Sequence, residues 1–134
     1  VSELIEKVRG EIYDLRSHAD FNSSLREIVY SISPDIIVSV EEIELTDADR
    51  HLLLRVIPEL LRNAHIHSGA SQIHLQLLSG EDGVMVKVSD NGRGGAIPTP
   101  GRYGLLGSIE RVENHGGSIE IVSEKEGTTI TINL

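Results

Sequence analysis

Three groups of residues have types and spacings that could do chemistry. The first is Asp90-Asn91-Gly92-Arg93-Gly94, a carboxylate followed by two glycines at alternate positions, directly after the apolar alternation Val84, Val86, Val88. A strand that runs into such a loop holds the aspartate at its end, while the glycines let backbone pass close to a ligand or take positive φ. A carboxylate in that position can accept from an exocyclic amine, which is how a site tells adenine from guanine. By residue type alone Asp-Asn-Gly is also ordinary turn chemistry. The second group is Glu59, Asn63 and His67. Four residues advance a helix by about 400°, so three side chains at this spacing form a row that drifts only about 40° per step and can face one ligand. Asn63 offers a neutral oxygen suited to a Mg²⁺ ion that also touches phosphate oxygens and keeps several waters. The third group, Gly104 to Gly107, opens a helix, where unpaired N–H groups and the helix dipole favour an anion such as phosphate.

Positioning these groups requires a particular set of elements. Thr46-Asp47-Ala48-Asp49 supplies N-cap chemistry for a helix over about 48–67, whose buried stripe is Leu53, Val56, Ile57, Leu60, Leu61 and Ala64. Pro58 lies inside it, predicting a kink one turn before the polar row, and Ser68-Gly69 ends it. Residues 71–78 alternate as a strand with one wet face, and Glu81-Asp82-Gly83 turns the chain into the strand that carries Asp90. Residues 91–103 are rich in Gly and Pro without apolar periodicity and read as a lid. Leu105, Ile109 and Val112 face inward from the helix that follows, Gly116-Gly117 ends it, and two strands around Lys125-Glu126-Gly127 finish the chain. Upstream, Leu4, Ile5, Val8, Ile12 and Leu15 mark an amphipathic helix over 1–16, Leu25, Ile28 and Val29 mark another, and Ile36 to Val40 is a short β-branched strand.

Composition narrows the classes. A chain of 134 residues fits one domain with a real core. It has 12 basic and 21 acidic side chains, a formal charge of −9, which argues against non-specific affinity for nucleic acid or anionic lipid. Any phosphate it binds must be held locally. Cysteine is absent, and no apolar run approaches the roughly 20 residues of a membrane span. Aromatic residues make up only 3%, too few for base-stacking platforms. With no Cys and no His pair at helical spacing, His65, His74 and His115 make a poor zinc site and are expected as exposed or turn residues. No Gly-Lys-Ser/Thr, no complete Gly-x-Gly-x-x-Gly and no Gly-x-Ser-x-Gly occurs. The helical pattern is already under way at Val1, so the chain is expected to be a piece of a longer protein.

Taken together, the motifs resemble the catalytic ATP-binding domain of a sensor histidine kinase, in the superfamily of gyrase, Hsp90, histidine kinases and MutL. The subfamily resembled is that of the nitrate sensors and the membrane-fluidity sensor of bacilli. Glu59-Leu60-Leu61-Arg62-Asn63-Ala64-His65-Ile66-His67 is similar to that family's N box, and Asp90 to Gly94 to its first glycine box. Gly104 to Val112 resembles its second glycine box, and Gly127-Thr128-Thr129 its closing Gly-Thr element. The resemblance covers roughly residues 35–134. Glu11 to Arg16 also resembles the end of the second dimerisation helix, which divides the chain into a remnant of that helix over 1–20 and the ATP-binding catalytic domain over 21–134.

The resemblance implies an α/β fold, an α+β two-layer sandwich of the Bergerat type, with a mixed, mostly antiparallel sheet and helices on one face. It implies ATP and Mg²⁺ as ligands, with Asn63 on the metal and Glu59 and Asn63 as the catalytic pair. Asp90 would hydrogen-bond the adenine amine, with Thr128 or Thr129 nearby. Gly92 and Gly94 would let the loop approach the nucleotide, and Gly104, Leu105 and Gly107 would sit under the phosphates. His67, Arg93 and Arg102 would complete the nucleotide contacts. Three departures stand out: Ile66 replaces a basic residue often found there, Arg102 stands where many relatives have glycine, and Pro58 precedes Glu59. They point to a stiffer lid, with phosphate contacts passing to Arg93 or Arg102. The implied partners are a dimerisation and phosphoacceptor domain of the same protein and a response regulator, with no nucleic acid and no direct membrane contact by this domain. The implied setting is a cytoplasmic domain of a full-length homodimer that a membrane anchor could hold. No histidine here sits in the family's acceptor context, since His18-Ala19-Asp20 follows the wrong helix, so the acceptor is expected elsewhere. Two rival readings remain: an anti-sigma-factor serine kinase of the same superfamily, and a non-catalytic interaction module with degenerate nucleotide binding.

Overall fold

The structure is a computed structural model that describes residues 20–67, 69–80, 83–92 and 103–134. A helix over residues 20–32 (α1) leads into the strand β1 (Ile37–Val40). There follow the helix α2 (Asp47–His67), the strands β2 (Ile73–Ser79) and β3 (Val84–Asp90), the helix α3 (Tyr103–Asn114), and the strands β4 (Ser118–Glu124) and β5 (Gly127–Asn133). The expected helix over 1–16 and most of the expected lid fall outside the described residues.

The strands form one sheet in the order β1-β2-β3-β5-β4, with β1 parallel to β2 and every other neighbour antiparallel. This is the mixed, mostly antiparallel sheet that the resemblance implies. Alternation decides which face is covered. Ile73, Leu75 and Leu77 of β2, Val84, Val86 and Val88 of β3, and Ile130 and Ile132 of β5 are buried, while the residues between them are only half-buried. The buried set joins Leu25 and Val29 of α1, the stripe of α2, and Leu105 and Val112 of α3 in one apolar cluster. A helix layer therefore lies over one face of the sheet.

The amphipathic period of α2 is the strongest determinant of this packing. Leu53, Val56, Ile57, Leu60 and Leu61 are wholly buried and Ala64 nearly so. Burying each of the larger side chains is worth about 1.5–3 kcal/mol, which outweighs the helix cost of Pro58 beside them. Pro58 is itself buried, and α2 continues through it to His67. The start of α2 is fixed by a reciprocal cap. The Asp49 amide donates to Thr46 Oγ1 at 3.0 Å, and the Thr46 amide donates to Asp49 Oδ2 at 3.4 Å. A cap of this kind contributes about 1 kcal/mol. Arg50 lies buried against the same turn, donating to the Leu45 carbonyl at 2.7 Å and pairing with Asp47.

Asp49 also meets His115 in the turn after α3, with Nε2 and Oδ1 2.7 Å apart, so the start of α2 is tied to the end of α3. The expectation of a turn position for His115 holds, but its partner is 66 residues away and invisible to local pattern. On the open face, His74 Nε2 lies 3.1 Å from Ser39 Oγ, and the Ser79 amide donates to Glu41 Oε2 at 3.0 Å; both bonds help hold the short edge strand to β2.

Candidate nucleotide-binding site

Asp90 is the last residue of β3, and β3 lies between β2 and β5, so the residue is held from both sides: it pairs with Ile73 on one and Thr128 on the other. Its Oδ1 accepts the Gly92 amide at 2.9 Å. That bond closes a small turn at the strand end and fixes the carboxylate's orientation. Among the described residues Oδ2 has no donor, which leaves it free to accept from a ligand. Gly92 is buried beneath this turn.

Gly127 opens β5 directly against the backbone of Asp90. Its φ is +150°, and a Cβ there would run into the Asp90 carbonyl oxygen. Glycine is the residue type that permits this approach. Register then separates the two threonines. Thr128 is directly opposite Asp90 and buried, with Oγ1 3.2 Å from Ser123 Oγ, whereas Thr129 is opposite Ser89. Because alternate residues of a strand face opposite sides, Thr128 shares the helix-covered face with Asp90 and Thr129 belongs to the other.

On α2, Glu59 is half-exposed and pairs with Arg62 at 3.2 Å. Asn63 is one turn further on. Its side-chain nitrogen is buried and has no hydrogen-bond partner among the described residues. A buried amide left unpaired costs about 1–3 kcal/mol, so its retention calls for a partner that the described residues do not supply. A half-turn of the amide exchanges Oδ1 and Nδ2, so the same position can present an oxygen to a cation or a donor to a phosphate. His67 closes α2, and its side chain is outside the description.

The helix α3 packs against α2 and begins at Tyr103, so Gly104, Leu105 and Gly107 all lie in its first turns. Leu105 is buried in the core and anchors this end. Gly107 leaves room for the Arg111 guanidinium, which lies 3.2 Å from where a Cβ would be. Arg93, Gly94 and Arg102 lie outside the described residues. Among the described residues no group of three or more His, Asp and Glu side chains could hold a metal ion by itself. Mg²⁺ at Asn63 would need phosphate oxygens and water to complete its shell, as is usual for that ion. The residues present thus fit a metal carried in with a nucleotide.

Asn91, assigned no role from sequence, bridges the end of β3 to Ser71 and Gln72. The partners stand 19 and 20 residues back in the chain, so only the fold reveals the contact.

These features define a class: an α/β sandwich with a carboxylate at a strand end, an amide on one helix and a glycine-rich start on the helix packed against it. The family described as histidine kinase-, DNA gyrase B-, and HSP90-like ATPase matches residues 48–134. The chain belongs to that family, and its fold is that of the family's ATP-binding domain. It is similar to the sensor histidine kinase LnrJ of Bacillus subtilis (strain 168), 35% identical over 74 residues, which is 55% of this chain and 18% of the relative. It is also similar to the signal transduction histidine-protein kinase/phosphatase DegS of Brevibacillus brevis, 29% identical over 147 residues, covering 100% of this chain and 38% of the relative. The chain therefore spans well under half the length of either relative. Among solved structures, the histidine kinase domain of the blue-light activated histidine kinase EL346 from Erythrobacter litoralis shares the fold. Its TM-score is 0.65 at 20% identity, over 84% of this chain and 63% of that one.

Proposed function

We propose that this chain is the catalytic ATP-binding domain of a two-component sensor histidine kinase, passing the γ-phosphoryl group of ATP to a histidine on a dimerisation domain of the same protein. From there the group would pass to an aspartate on a response regulator. The observation that carries the reading is the buried amide of Asn63, without a hydrogen-bond partner among the described residues, one helical turn from Glu59 on a helix that packs against α3. Relatives named as histidine kinases favour this reading over a serine kinase of the same superfamily.

Each residue has a share in it. Asp90 accepts from the adenine amine through Oδ2, with Thr128 beside it. The first turn of α3, at Gly104 and Leu105, would receive the phosphates on free N–H groups, with Gly107 one turn further on beneath them. Asn63 would hold Mg²⁺, which when bound offsets charge on the phosphate oxygens. Glu59, kept in place by Arg62, is the carboxylate nearest in sequence to Asn63 and would polarise the incoming nucleophile. Arg93 and Arg102 are proposed to close on the phosphates from the loop between β3 and α3, with Gly92 and Gly94 letting that loop approach and His67 at the end of α2 adding a contact. Phosphoryl transfer of this kind rests on positioning and charge stabilisation more than on covalent steps. No described helix is long and apolar enough to cross a membrane. The proposed full-length protein is a cytoplasmic-facing homodimer.

The test is transfer in trans. With radiolabelled ATP, Mg²⁺ and a separate dimerisation domain bearing the acceptor histidine, this chain should label that domain with an acid-labile, base-stable phosphate, the behaviour of a phosphoramidate. Acid-stable label on a partner serine would favour an anti-sigma-factor kinase. No label on the acceptor domain, together with no binding of ATP, would favour a non-catalytic module.

A further inference from the structure

The Asn91 side chain makes three hydrogen bonds to a segment far away in sequence. Its Oδ1 accepts the Ser71 amide at 3.0 Å and the Gln72 amide at 2.8 Å, and its Nδ2 donates to Ser71 Oγ at 2.8 Å. The Asn91 amide adds a fourth bond, to the Gln72 carbonyl at 3.3 Å. These bonds begin where the β2–β3 ladder ends at the Ile73 and Asp90 pair. They join two pieces of the site. Ser71 and Gln72 belong to the short connection after α2, just past Gly69, whose φ of +65° reverses the chain out of the helix that carries Asn63. Asn91 itself stands between Asp90 and Gly92, inside the turn that the Asp90 carboxylate closes.

We propose that Asn91 is a positioning residue for nucleotide recognition: it clamps the connection after α2 to the Asp90 turn, and so fixes the aim of the Asp90 carboxylate relative to the α2 side of the site. This rests on the reading of Asp90 as the adenine acceptor. One amide side chain is well matched to the task, because it accepts two neighbouring N–H groups and donates to a hydroxyl at once. The clamp's contribution is preorganisation. Ser71, Gln72 and Asn91 are all exposed, so water can satisfy their polar groups when the clamp is lost, and the fold is expected to survive. What disappears is the restraint on the Asp90 turn, and with it the low ordering cost of the adenine contact.

The experiment is calorimetric titration of ATP and GTP, in Mg²⁺, into the parent chain and into Asn91→Ala, Asn91→Asp and Asp90→Asn, with a melting temperature for each. Asn91→Ala should lose about tenfold in ATP affinity, the scale of one net hydrogen bond, with GTP binding and melting temperature nearly unchanged, so that the preference for ATP narrows. Asn91→Asp keeps the acceptor for both amides and should recover most of the loss. If Asn91→Ala does not stay folded, Asn91→Ser, which retains one small polar group, should show the same narrowing. Asp90→Asn separates the two levels of the argument. Weakened ATP binding in Asp90→Asn with an unchanged ATP-to-GTP ratio in Asn91→Ala would overturn the clamp alone, as would equal losses in Asn91→Ala and Asn91→Asp that track equal falls in melting temperature. Unaltered ATP binding in Asp90→Asn would overturn the adenine assignment, and the clamp with it.

Discussion

Asp90→Asn is expected to weaken ATP binding about 10- to 100-fold, or roughly 1.5–3 kcal/mol, the worth of a hydrogen bond to a charged group. The size follows from how the carboxylate is used. One of its oxygens already accepts the Gly92 amide, so an asparagine that preserves this turn must put its single oxygen there. Its NH₂ then faces the base. Toward adenine that sets donor against donor; toward guanine, whose corresponding group is an acceptor, it is tolerated. The preference for ATP over GTP should therefore shrink by more than the overall affinity does. Titration with both nucleotides checks this, and an Asp90→Asn protein that binds ATP as the parent does would remove Asp90 from the base.

A second large effect is expected at Asn63. In Mg²⁺, Asn63→Ala should lose about 10- to 100-fold in ATP affinity, comparable to the loss of groups that hold a metal or its ligands, while in EDTA parent and variant should bind nearly alike. Stability should move the other way or not at all. The parent carries a buried amide nitrogen without a partner among the described residues, and truncation removes that desolvation cost. A more stable variant that binds less well is the pattern of a side chain kept for function. If parent and variant depend on Mg²⁺ equally, Asn63 is not at the metal.

The fold was legible where one physical signal acts locally. Leu53 to Ala64 form the buried stripe that helical period predicts, and the alternation in residues 73–79 and 84–90 sets which side chains face the helices. Helix caps could be read as well, since Thr46 and Asp49 are only three residues apart. The candidate site draws on the same kind of signal, since the polar residues of α2 and the Asp90 turn are short patterns. What escaped depends on pairing across the chain. Local sequence does not show that β5 passes so close to Asp90 that Gly127 must lack a Cβ. Nor does it choose between Thr128 and Thr129, because a shift of one residue in register exchanges the two faces. Nor does local pattern bring Ser71 and Gln72 to the Asn91 side chain, or Asp49 to His115, although His115 lies in the exposed turn that its sequence context predicts.

The most direct measurement is the melting temperature of the parent chain as ATP is raised in the presence of Mg²⁺, with GTP as the control. A ligand that binds only the folded state adds about 2.7 kcal/mol of stability at 100 times its dissociation constant. ATP should therefore raise the melting temperature progressively, and GTP should do so much less. A melting temperature indifferent to ATP, or moved equally by GTP, would contradict a site in which Asp90 reads adenine and the α2 and α3 helices hold the phosphates.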